Sequence, residues 1–416
     1  MKRQYDILII GGGIIGASCA LELSRRGVGV LLIEKGGMFG HGCSYGNAGW
    51  VTPCFALPLP RPGMLLKSMR WMLDPDGPLY IKPKPSLMLF RWLWRFLLSM
   101  NAKHLHESTA ALTQISKYSL DEYAKLDREF SGTMGFTQKG LLMVAQTDDG
   151  LRGAIEEMNL VSGHGIVGQK FDEAALKDFE PSLTGKVSGA VYFPQEAHLE
   201  PLAAVKTMIH AAENAGATVL SGTEVFDINS ADGKITSLRT TRGDFSADQY
   251  VLATGVWSEA MGRALKLKIP VLGGKGYALI VKPLDPTPKI PMMLIEKKIA
   301  VTPRADTVRL AGTLELVNRD DSITVRRVDA IVRGAREFMN VPESPELLEV
   351  WRGLRPCTPD GVPMIGRSPQ YSNLILATGH QMLGLQSAPG TGRLVADIAT
   401  SAIPAFDPKP FRVDRF

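Results

Sequence analysis

The stretch DILIIGGGIIG, residues 6–16, decides the fold of the first part of this chain. Its ILII segment is continuously apolar, which is typical of a strand buried on both faces of a parallel sheet. Gly11, Gly13 and Gly16 follow in the G-x-G-x-x-G spacing, which permits a sharp turn and lets backbone amides approach a pyrophosphate. Residues 14–26 then predict a helix whose positive amino-terminal end faces the anion.

A second apolar strand and an acidic residue complete this unit. The segment VGVLLI, residues 28–33, predicts another buried strand, and Glu34 stands at its carboxyl end. A carboxylate there accepts hydrogen bonds from a ribose diol, whereas an arginine would have indicated a 2′-phosphate. The strand, the turn, the helix and the acidic residue all match the pattern of a dinucleotide-binding unit. We therefore interpret the unit as a dinucleotide-binding site rather than a purely structural turn. These residues leave open whether the dinucleotide is FAD or NAD.

Composition excludes several other classes of protein. The 416 residues include 47 basic and 42 acidic side chains, and the net charge of +5 is too small and too dispersed for nucleic-acid binding, although it suits an anionic substrate or a lipid surface. The four cysteines have neither metal-like spacing nor the pattern of a disulfide framework, so we expect a reducing, cytoplasmic compartment. The apolar run near residue 10 is interrupted by Asp6 and the glycines, which argues against a signal peptide.

The remaining patterns predict a dinucleotide-binding domain interrupted by a second domain. A glycine-rich loop, residues 36–53, follows Lys35 and suits a cofactor that extends past its pyrophosphate. Helical patterns occur at 110–129 and 199–215, and a strand pattern at 140–146. We expect a cofactor domain of residues 1–75, 196–265 and 345–416, and a substrate domain of residues 76–195 and 266–344.

Four further motifs carry a resemblance to a known family. They are SYGNAG at 44–49, VLATGVWS at 251–258, WRGLRPCTPDGVPMIG at 351–366 and NLILATGHQMLGLQSAPGTGRLVADI at 373–398. With the glycine turn and Glu34, they resemble the D-amino-acid oxidase-like family of FAD-dependent oxidoreductases, and within it the bacterial D-amino-acid dehydrogenases. The resemblance implies an α/β fold, with a Rossmann-like, glutathione-reductase-type FAD domain and a mixed-sheet α+β substrate domain.

The resemblance also implies which residues contact FAD. The ADP-binding positions are Gly11, Gly13, Ile14, Ile15, Gly16, Glu34 and Lys35, and Val225 falls where a backbone segment meets the adenine. The loop along the pyrophosphate and flavin supplies Ser44, Asn47, Ala48 and Gly49, and the site is closed by Ala253, Thr254 and Gly255. Relatives of the sarcosine oxidase type carry the flavin-linking cysteine where this chain has Gly353, so the resemblance implies noncovalent FAD.

The carboxyl-terminal motif is expected to face the flavin. The segment from Pro389 predicts a turn that opens a helix, and in the family this amino terminus points toward the flavin N1 and C2 carbonyl. A helix amino terminus stabilises the negative charge that appears when the flavin accepts a hydride. Gly384, Gly390 and Thr391 are the cofactor contacts that the resemblance implies here.

Three side chains are the candidate catalytic residues. Arg355, in GLRP, matches the family arginine that binds the substrate carboxylate, although a structural ion pair is the alternative. Met382 stands where related glycine oxidases carry a second arginine, which suits a bulkier, less polar substrate. Tyr277 resembles a tyrosine on the substrate side of the flavin, and His380 follows the family GH motif. A core aromatic residue and a structural histidine are the alternatives for these two.

The expected reaction is hydride transfer from the α-carbon of an amino acid to flavin N5, followed by hydrolysis of the imino acid to a 2-oxo acid and ammonia. The D configuration comes from the resemblance alone.

The alternative enzyme is the FAD subunit of a hydroxyproline, L-proline or opine oxidoreductase complex. A non-catalytic dinucleotide-binding sensor is a different class, and Arg355 argues against it because a sensor needs no carboxylate site. His104 and His106 lack the further ligands that a metal site needs.

The electron acceptor is suggested by an aromatic segment. Residues 86–100, SLMLFRWLWRFLLSM, are rich in Trp, Phe and Leu, with Arg91 and Arg95 one turn apart on a predicted helix. Such a helix can rest on a membrane surface, or it can pack on the substrate domain or on a partner subunit. In the first case we expect a quinone or respiratory-chain acceptor and a cytoplasmic protein held peripherally on the inner face of the cell membrane.

Overall fold

The computed structural model describes residues 5–37, 39–40, 42–74, 76–81, 86–317 and 319–416. Its strands are β1 (Tyr5–Ile10), β2 (Val30–Ile33), β3 (Trp50–Val51), β4 (Leu79–Ile81), β5 (Leu141–Ala145), β6 (Gln169–Phe171), β7 (Gly189–Phe193), β8 (Ala197–His198), β9 (Thr218–Leu220), β10 (Val225–Ala231), β11 (Lys234–Thr240), β12 (Gly243–Phe245), β13 (Ala247–Leu252), β14 (Leu272–Val281), β15 (Met292–Leu294), β16 (Ile299–Pro303), β17 (Val308–Val317), β18 (Leu347–Cys357), β19 (Met364–Arg367) and β20 (Leu374–Thr378). Its helices are α1 (Ile14–Arg25), α2 (Met64–Leu73), α3 (Leu87–Leu98), α4 (Ala102–Glu129), α5 (Asp148–Ser162), α6 (Glu173–Phe179), α7 (Pro201–Asn214), α8 (Ser258–Ala264), α9 (Val325–Arg336) and α10 (Gly384–Ala399).

The first sheet has the strand order β19-β20-β13-β1-β2-β9. All of its neighbouring strands are parallel except the edge strand β19, which runs antiparallel to β20. The inner strands β1 and β2 are buried on both sides, as their uninterrupted apolar sequences predict. One face is covered by α1, α4, α7 and α10, and the other by the small antiparallel sheet β10-β11-β12.

The second sheet is mixed and has the order β18-β14-β17-β16-β15-β5-β7-β6, with β4 added beside β17. Its pairs are antiparallel except β15 with β5 and β17 with β4. One face packs on α9, where Tyr277 and Leu279 meet Val328. The opposite face carries small residues, including Ala278 and Ala311, and packs against Trp50 of the first segment.

The sheets divide the chain differently from the predicted domain boundaries at two places. Strand β18 lies within 345–416 but belongs to the second sheet, where it pairs along its length with β14. Helix α4 lies within 76–195 but packs in the core of the first sheet. We propose that β18 belongs to the substrate domain and α4 to the cofactor domain. The other boundaries stay a prediction, and residue 75 lies outside the described residues.

The predicted helices occur, but the last one begins earlier than expected. Helix α10 starts at Gly384, so Pro389 lies inside it rather than at its start. A proline inside a helix leaves the carbonyl four residues earlier without its usual N–H donor. Here that carbonyl belongs to Leu385, and the buried Tyr123 hydroxyl of α4 donates to it at 2.8 Å. Tertiary packing thus satisfies the backbone group that the proline leaves unpaired.

None of the helices in the described parts of the chain combines the length and apolar composition that crossing a membrane requires.

Candidate cofactor and substrate site

A cavity of about 350 Å³ extends from the carboxyl ends of β1 and β2 to the edge strand β18. The predicted cofactor residues on its wall are Gly11, Gly13, Ile14, Ile15, Glu34, Lys35, Ser44, Asn47, Val225, Ala253, Thr254, Gly255 and Gly384. Residues from three separated parts of the sequence therefore meet in one elongated cavity. The cavity connects the glycine turn with the start of α10, which suits an extended dinucleotide.

The glycine turn has the geometry that an approaching phosphate needs. Gly11 has φ +110°, and a Cβ at this position would lie 2.5 Å from the carbonyl oxygen of Ala253. Gly16 is not on the cavity wall, and a Cβ there would collide with the carbonyl oxygen of Gly11. It instead lets α1 pack closely on β1. Helix α1 has Gly13 as its N-cap, and the N–H group of its first residue, Ile14, donates to the Ser44 hydroxyl at 3.0 Å. The next amides of the first turn can receive an anion.

Glu34 lies at the end of the cavity nearest Val225. Its two carboxylate oxygens accept hydrogen bonds from the backbone N–H groups of Gly12, at 2.6 Å, and Gly36, at 2.8 Å. These bonds fix the carboxylate beside the glycine turn, where a ribose bound there can reach it. The glycine turn, which carries no side chains, and the Glu34 carboxylate, which is held in place by its hydrogen bonds, fit the ADP half of FAD. Glu34, Gly11 and Gly13 would hold this half.

The other end of the cavity is formed by β18 and the start of α10. Leu354, Pro356, His380, Gln381 and Gly384 line it. The amino terminus of α10 therefore lies at the cavity, as the resemblance implies, but through Gly384 rather than Pro389. Its partial positive charge can stabilise an anionic ring system.

Gly390 and Thr391 lie within α10 and are not on the cavity wall, so their predicted contact with the cofactor stays a prediction. The N–H group of Gly390 donates to the Ser119 hydroxyl at 3.0 Å, and a Cβ at Gly390 would collide with Ile115 of α4. The Thr391 hydroxyl donates to the carbonyl oxygen of Ser387. These residues hold α10 against α4, and their small size serves helix packing.

Ala48 and Gly49 also lie outside the cavity wall. The carbonyl oxygen of Ala48 accepts a hydrogen bond from the Thr302 hydroxyl at 2.8 Å, and the N–H group of Gly49 donates to Asn47 Oδ1 at 2.9 Å. The two residues therefore attach the cofactor loop to β16 and shape it. Asn47 itself reaches the cavity.

Arg355 lies on β18 between the cavity residues Leu354 and Pro356. Its guanidinium crosses the face of β14 above Gly276, where a Cβ would collide with it, and Nη1 donates to the carbonyl oxygen of Thr313 at 2.8 Å. Its charge also opposes the burial that raises the pKa of Cys43, a residue of the cavity wall. The other guanidinium nitrogens form no hydrogen bond to any described residue, so they can bind a carboxylate through two parallel bonds.

His380 is buried at the cavity wall. Its Nε2 lies 3.1 Å from the Thr391 hydroxyl, and burial lowers the pKa of the imidazole to about 3. The ring is therefore neutral across the physiological pH range. A neutral His380 can orient a bound ring system or accept a hydrogen bond, but it adds no positive charge to the site.

Tyr277 lies on the far face of the second sheet, so the structure does not bring it together with Arg355, and its catalytic role stays a prediction. Side chains alternate along β14, so Gly276 faces Arg355 while Tyr277 packs with Leu279 under α9. The Tyr277 hydroxyl donates to Glu315 Oε1 at 2.7 Å and accepts the N–H group of Thr324 at 3.1 Å. These contacts are those of a buried structural tyrosine.

We expect Tyr277→Phe to leave substrate turnover nearly unchanged and to lower stability. Removal of the hydroxyl takes a donor from the buried Glu315 carboxylate, which costs about 1–3 kcal/mol of unfolding free energy. Denaturant unfolding and steady-state kinetics on the same variant check this. A large loss of turnover with unchanged stability would instead place Tyr277 at the reacting atoms.

An aromatic wall lies beside Arg355 and was not predicted from the sequence. Trp351 lies on the same face of β18 as Arg355, and it fills the space above Gly46 and Gly353, where Cβ atoms would collide with its indole. The ring of Tyr45 lies 6.5 Å from it. The period of two along a strand could have placed Trp351 with Arg355, since they are four residues apart.

The two histidines of α4 do not form a metal centre. His104 Nε2 lies 2.6 Å from the carbonyl oxygen of Asp360, and the ring of His106 lies near that of His164. Across the described residues, no group of three or more His, Cys, Asp or Glu side chains is arranged to hold a metal ion.

Comparison with known proteins agrees with this geometry. The model of the family described as FAD dependent oxidoreductase (DAO) matches residues 6–398. D-amino acid dehydrogenase of Vibrio atlanticus (strain LGP32) is 30% identical over 402 residues, which cover 95% of this chain and 96% of that protein. D-amino acid dehydrogenase of Granulibacter bethesdensis is 29% identical over 417 residues, 99% of each chain.

Solved structures show the same fold. Glycine oxidase from Geobacillus kaustophilus superimposes with a TM-score of 0.80 at 25% identity over the whole of both chains. L-proline dehydrogenase from P. horikoshii gives a TM-score of 0.80 at 21% identity and shows the fold alone. These findings confirm the predicted α/β fold with a second mixed sheet, the FAD cofactor and the oxidoreductase class. The chain belongs to the DAO family of FAD-dependent oxidoreductases.

Proposed function

We propose that this enzyme oxidises D-amino acids to 2-oxo acids and ammonia and passes the electrons to a quinone or another respiratory acceptor. The observation that carries the substrate class is Arg355, whose guanidinium has unused donors beside the cofactor cavity. The names of the Vibrio and Granulibacter relatives support the D configuration and the dehydrogenase type.

The substrate carboxylate is bound by Arg355 through two charge-assisted hydrogen bonds. The amino acid side chain then lies along a sheet face of small residues, Gly276, Ala278 and Ala311, with Trp351 as one wall. Small residues leave room for a substrate side chain, and the apolar wall excludes water from it. This arrangement suits apolar amino acids.

The chain contributes positioning and electrostatics rather than acid–base groups. FAD, when bound at this site, would supply the hydride acceptor for the α-carbon. Arg355 fixes the carboxylate and thereby the direction of the α-hydrogen, and the amino terminus of α10 stabilises the resulting negative charge. The amino acid loses two electrons and two protons in total, and water then hydrolyses the imino acid to the 2-oxo acid and ammonia.

A substrate panel tests the proposed reaction. Dye-linked assays with D- and L-amino acids, hydroxyprolines and opines should give the highest kcat/KM for apolar D-amino acids. The alternative is an FAD subunit for hydroxyproline, L-proline or opine oxidation. A preference for any of these compounds would replace the proposed substrate class and leave the oxidoreductase assignment intact.

The acceptor is tested separately by reoxidation of the substrate-reduced enzyme. We expect artificial dyes and short-chain quinones to reoxidise it far faster than oxygen does, as a dehydrogenase requires. Stopped-flow mixing of reduced enzyme with each oxidant measures the rates. If hydrogen peroxide forms in air at a turnover equal to that with dyes, the protein is an oxidase and the respiratory acceptor is wrong.

A further inference from the structure

Helix α3 is apolar on both of its sides. On the inner side Trp92 is buried and donates from Nε1 to the carbonyl oxygen of Cys357 at 3.1 Å. The outer side carries a row of large apolar side chains, each between 42% and 65% exposed: Leu87, Phe90, Trp94, Leu97 and Leu98. We call this row the docking stripe. A surface helix normally turns polar residues outward, and contiguous exposed apolar surface marks an interaction site.

A second exposed row lies on α2, in the same segment of the chain. Leu65, Met69 and Met72 are 38% to 49% exposed and recur at the spacing of one helix face. Neither α2, with the sequence MLLKSMRWML, nor α3, with LMLFRWLWRFLL, contains an acidic residue. The sequences of α2 and α3 therefore combine apolar and basic residues and contain no carboxylates.

Unpaired positive charge lies beside the docking stripe. Arg91 and Arg95 of α3 form no ion pair with any residue in the described ranges. At the end of α3 lies a groove of about 760 Å³, whose lining includes the cations Arg95, Lys409, Arg412 and Arg415 and the carboxylates Glu107, Asp360 and Asp407. Arg412 and Arg415 are paired with Asp414 and Asp360. Lys409 likewise has no carboxylate partner among the described residues. The groove itself therefore carries both signs of charge, and within the described part of the chain the unpaired cations beside the docking stripe are Arg91, Arg95 and Lys409.

The charges beside the docking stripe favour a phospholipid surface over a second copy of the chain as its binding partner. In a two-fold dimer through the docking stripe the same patch would meet itself, which brings arginines toward arginines. Like charges across an interface are unfavourable. An anionic phospholipid surface complements the arginines and also accepts the aromatic and aliphatic side chains at the boundary between headgroups and acyl chains.

We propose that the docking stripe of α3 lies on an anionic phospholipid bilayer, with the unpaired cations Arg91, Arg95 and Lys409 beside it pairing with lipid phosphates. The functional role that we give to this membrane contact depends on the proposed respiratory acceptor. Trp92, on the inner side of α3, contacts Cys357, the residue after Pro356 of the cofactor cavity. Docking through α3 therefore brings the cofactor site close to lipid-soluble acceptors.

Vesicle binding by the FAD-loaded protein tests the proposal without any turnover. Wild type should co-sediment with vesicles of phosphatidylglycerol and phosphatidylcholine at low salt, and much less with pure phosphatidylcholine. The double variant Phe90→Ser, Trp94→Ser should bind on the order of tenfold or more weakly. Phe226→Ser is the matched control, because Phe226 is 59% exposed on the separate strand β10, and it should bind like wild type.

The charges are tested in the same assay. Arg95→Gln with Lys409→Gln should weaken binding to the anionic vesicles by on the order of fivefold for each lost cation. Lys234→Gln with Lys268→Gln removes two exposed charges elsewhere and should change binding little. FAD content and thermal unfolding of all variants should match wild type, since the substituted side chains are exposed or half-exposed.

Three results would overturn the proposal. The first is equal binding of wild type and of Phe90→Ser, Trp94→Ser to anionic vesicles, and the second is equal binding to neutral and anionic vesicles. The third is a dimer in sedimentation velocity that Trp94→Ser abolishes, which would assign the stripe to a second copy of the chain. A failure of quinone reoxidation with vesicle binding intact would reject the acceptor and keep the docking surface.

Discussion

Replacement of Arg355 by alanine should lower kcat/KM for the preferred amino acid by on the order of 30- to 4,000-fold. The substrate carboxylate then enters a partly desolvated site without its counter-charge, which costs about 2–5 kcal/mol, and about 1.4 kcal/mol corresponds to a factor of ten. FAD content should not change, because Arg355 does not line the cavity that holds the ADP half. Steady-state kinetics and flavin quantification on the purified variant measure both quantities.

Two controls separate carboxylate binding from general disruption. Arg355→Lys should recover part of the activity, because an ammonium keeps the charge but lacks the planar pair of donors. An amino-acid amide, which has no carboxylate, should be a poor substrate for wild type. Arg355→Ala should lower the kcat/KM for this amide only a little further. Near-normal kinetics of Arg355→Ala with wild-type discrimination against the amide would show that the carboxylate is bound elsewhere.

Replacement of Gly16 by alanine should weaken FAD binding by about 100-fold and yield largely colourless protein. A Cβ at Gly16 collides with the carbonyl oxygen of Gly11, a backbone atom that cannot rotate away. Helix α1 must then shift from β1, which costs about 1–3 kcal/mol in a packed core and displaces the amides that receive the pyrophosphate. Equilibrium titration of the apoprotein with FAD measures the change.

Gly153→Ala is the matched control for this substitution. Gly153 lies in helix α5, and a Cβ there meets no atom within 4 Å. Alanine favours a helix over glycine by up to about 1 kcal/mol, so this variant should bind FAD normally and unfold at a slightly higher temperature. An FAD affinity of Gly16→Ala equal to that of wild type would mean that the close packing of α1 on β1 is not needed for the site.

The glycine turn could be predicted from sequence because its determinants are local. The strand, the turn, the helix α1 and Glu34 all lie within about thirty consecutive residues, and each obeys a short-range rule of spacing or burial. The same holds for the start of α1 at Ile14 and for the buried strands β1 and β2. Local rules therefore located one end of the cofactor cavity.

The predicted site residues that the structure does not bring to the cavity are those whose position depends on tertiary packing. Pro389 normally breaks a helix, but the Tyr123 hydroxyl, supplied by a residue far away in sequence, satisfies the carbonyl that it leaves unpaired. Because the helix starts earlier, Gly390 and Thr391 lie within it and contact Ser119 of α4 and His380. No short-range pattern contains this information.

Tyr277 shows that a shift of one residue along a strand decides which face of the sheet a side chain lies on, and with it the role that it can have. Its neighbour Gly276 faces Arg355, whereas Tyr277 faces α9 and Glu315. Successive side chains of a strand point to opposite faces, so a motif match alone cannot choose between them. The partner strands β17 and β18 decide the face, and β18 is distant in sequence from β14.

Anaerobic reduction of the bound flavin tests the central claim most directly, because it involves neither the acceptor nor the membrane. Wild-type enzyme mixed without oxygen with an apolar D-amino acid should lose its oxidised flavin absorbance rapidly and form one 2-oxo acid per flavin. The L-enantiomer, the amino-acid amide, L-proline and the opines should reduce it far more slowly. Equal or faster reduction by the amide or by L-proline would contradict the proposal that this site oxidises D-amino acids held through their carboxylate by Arg355.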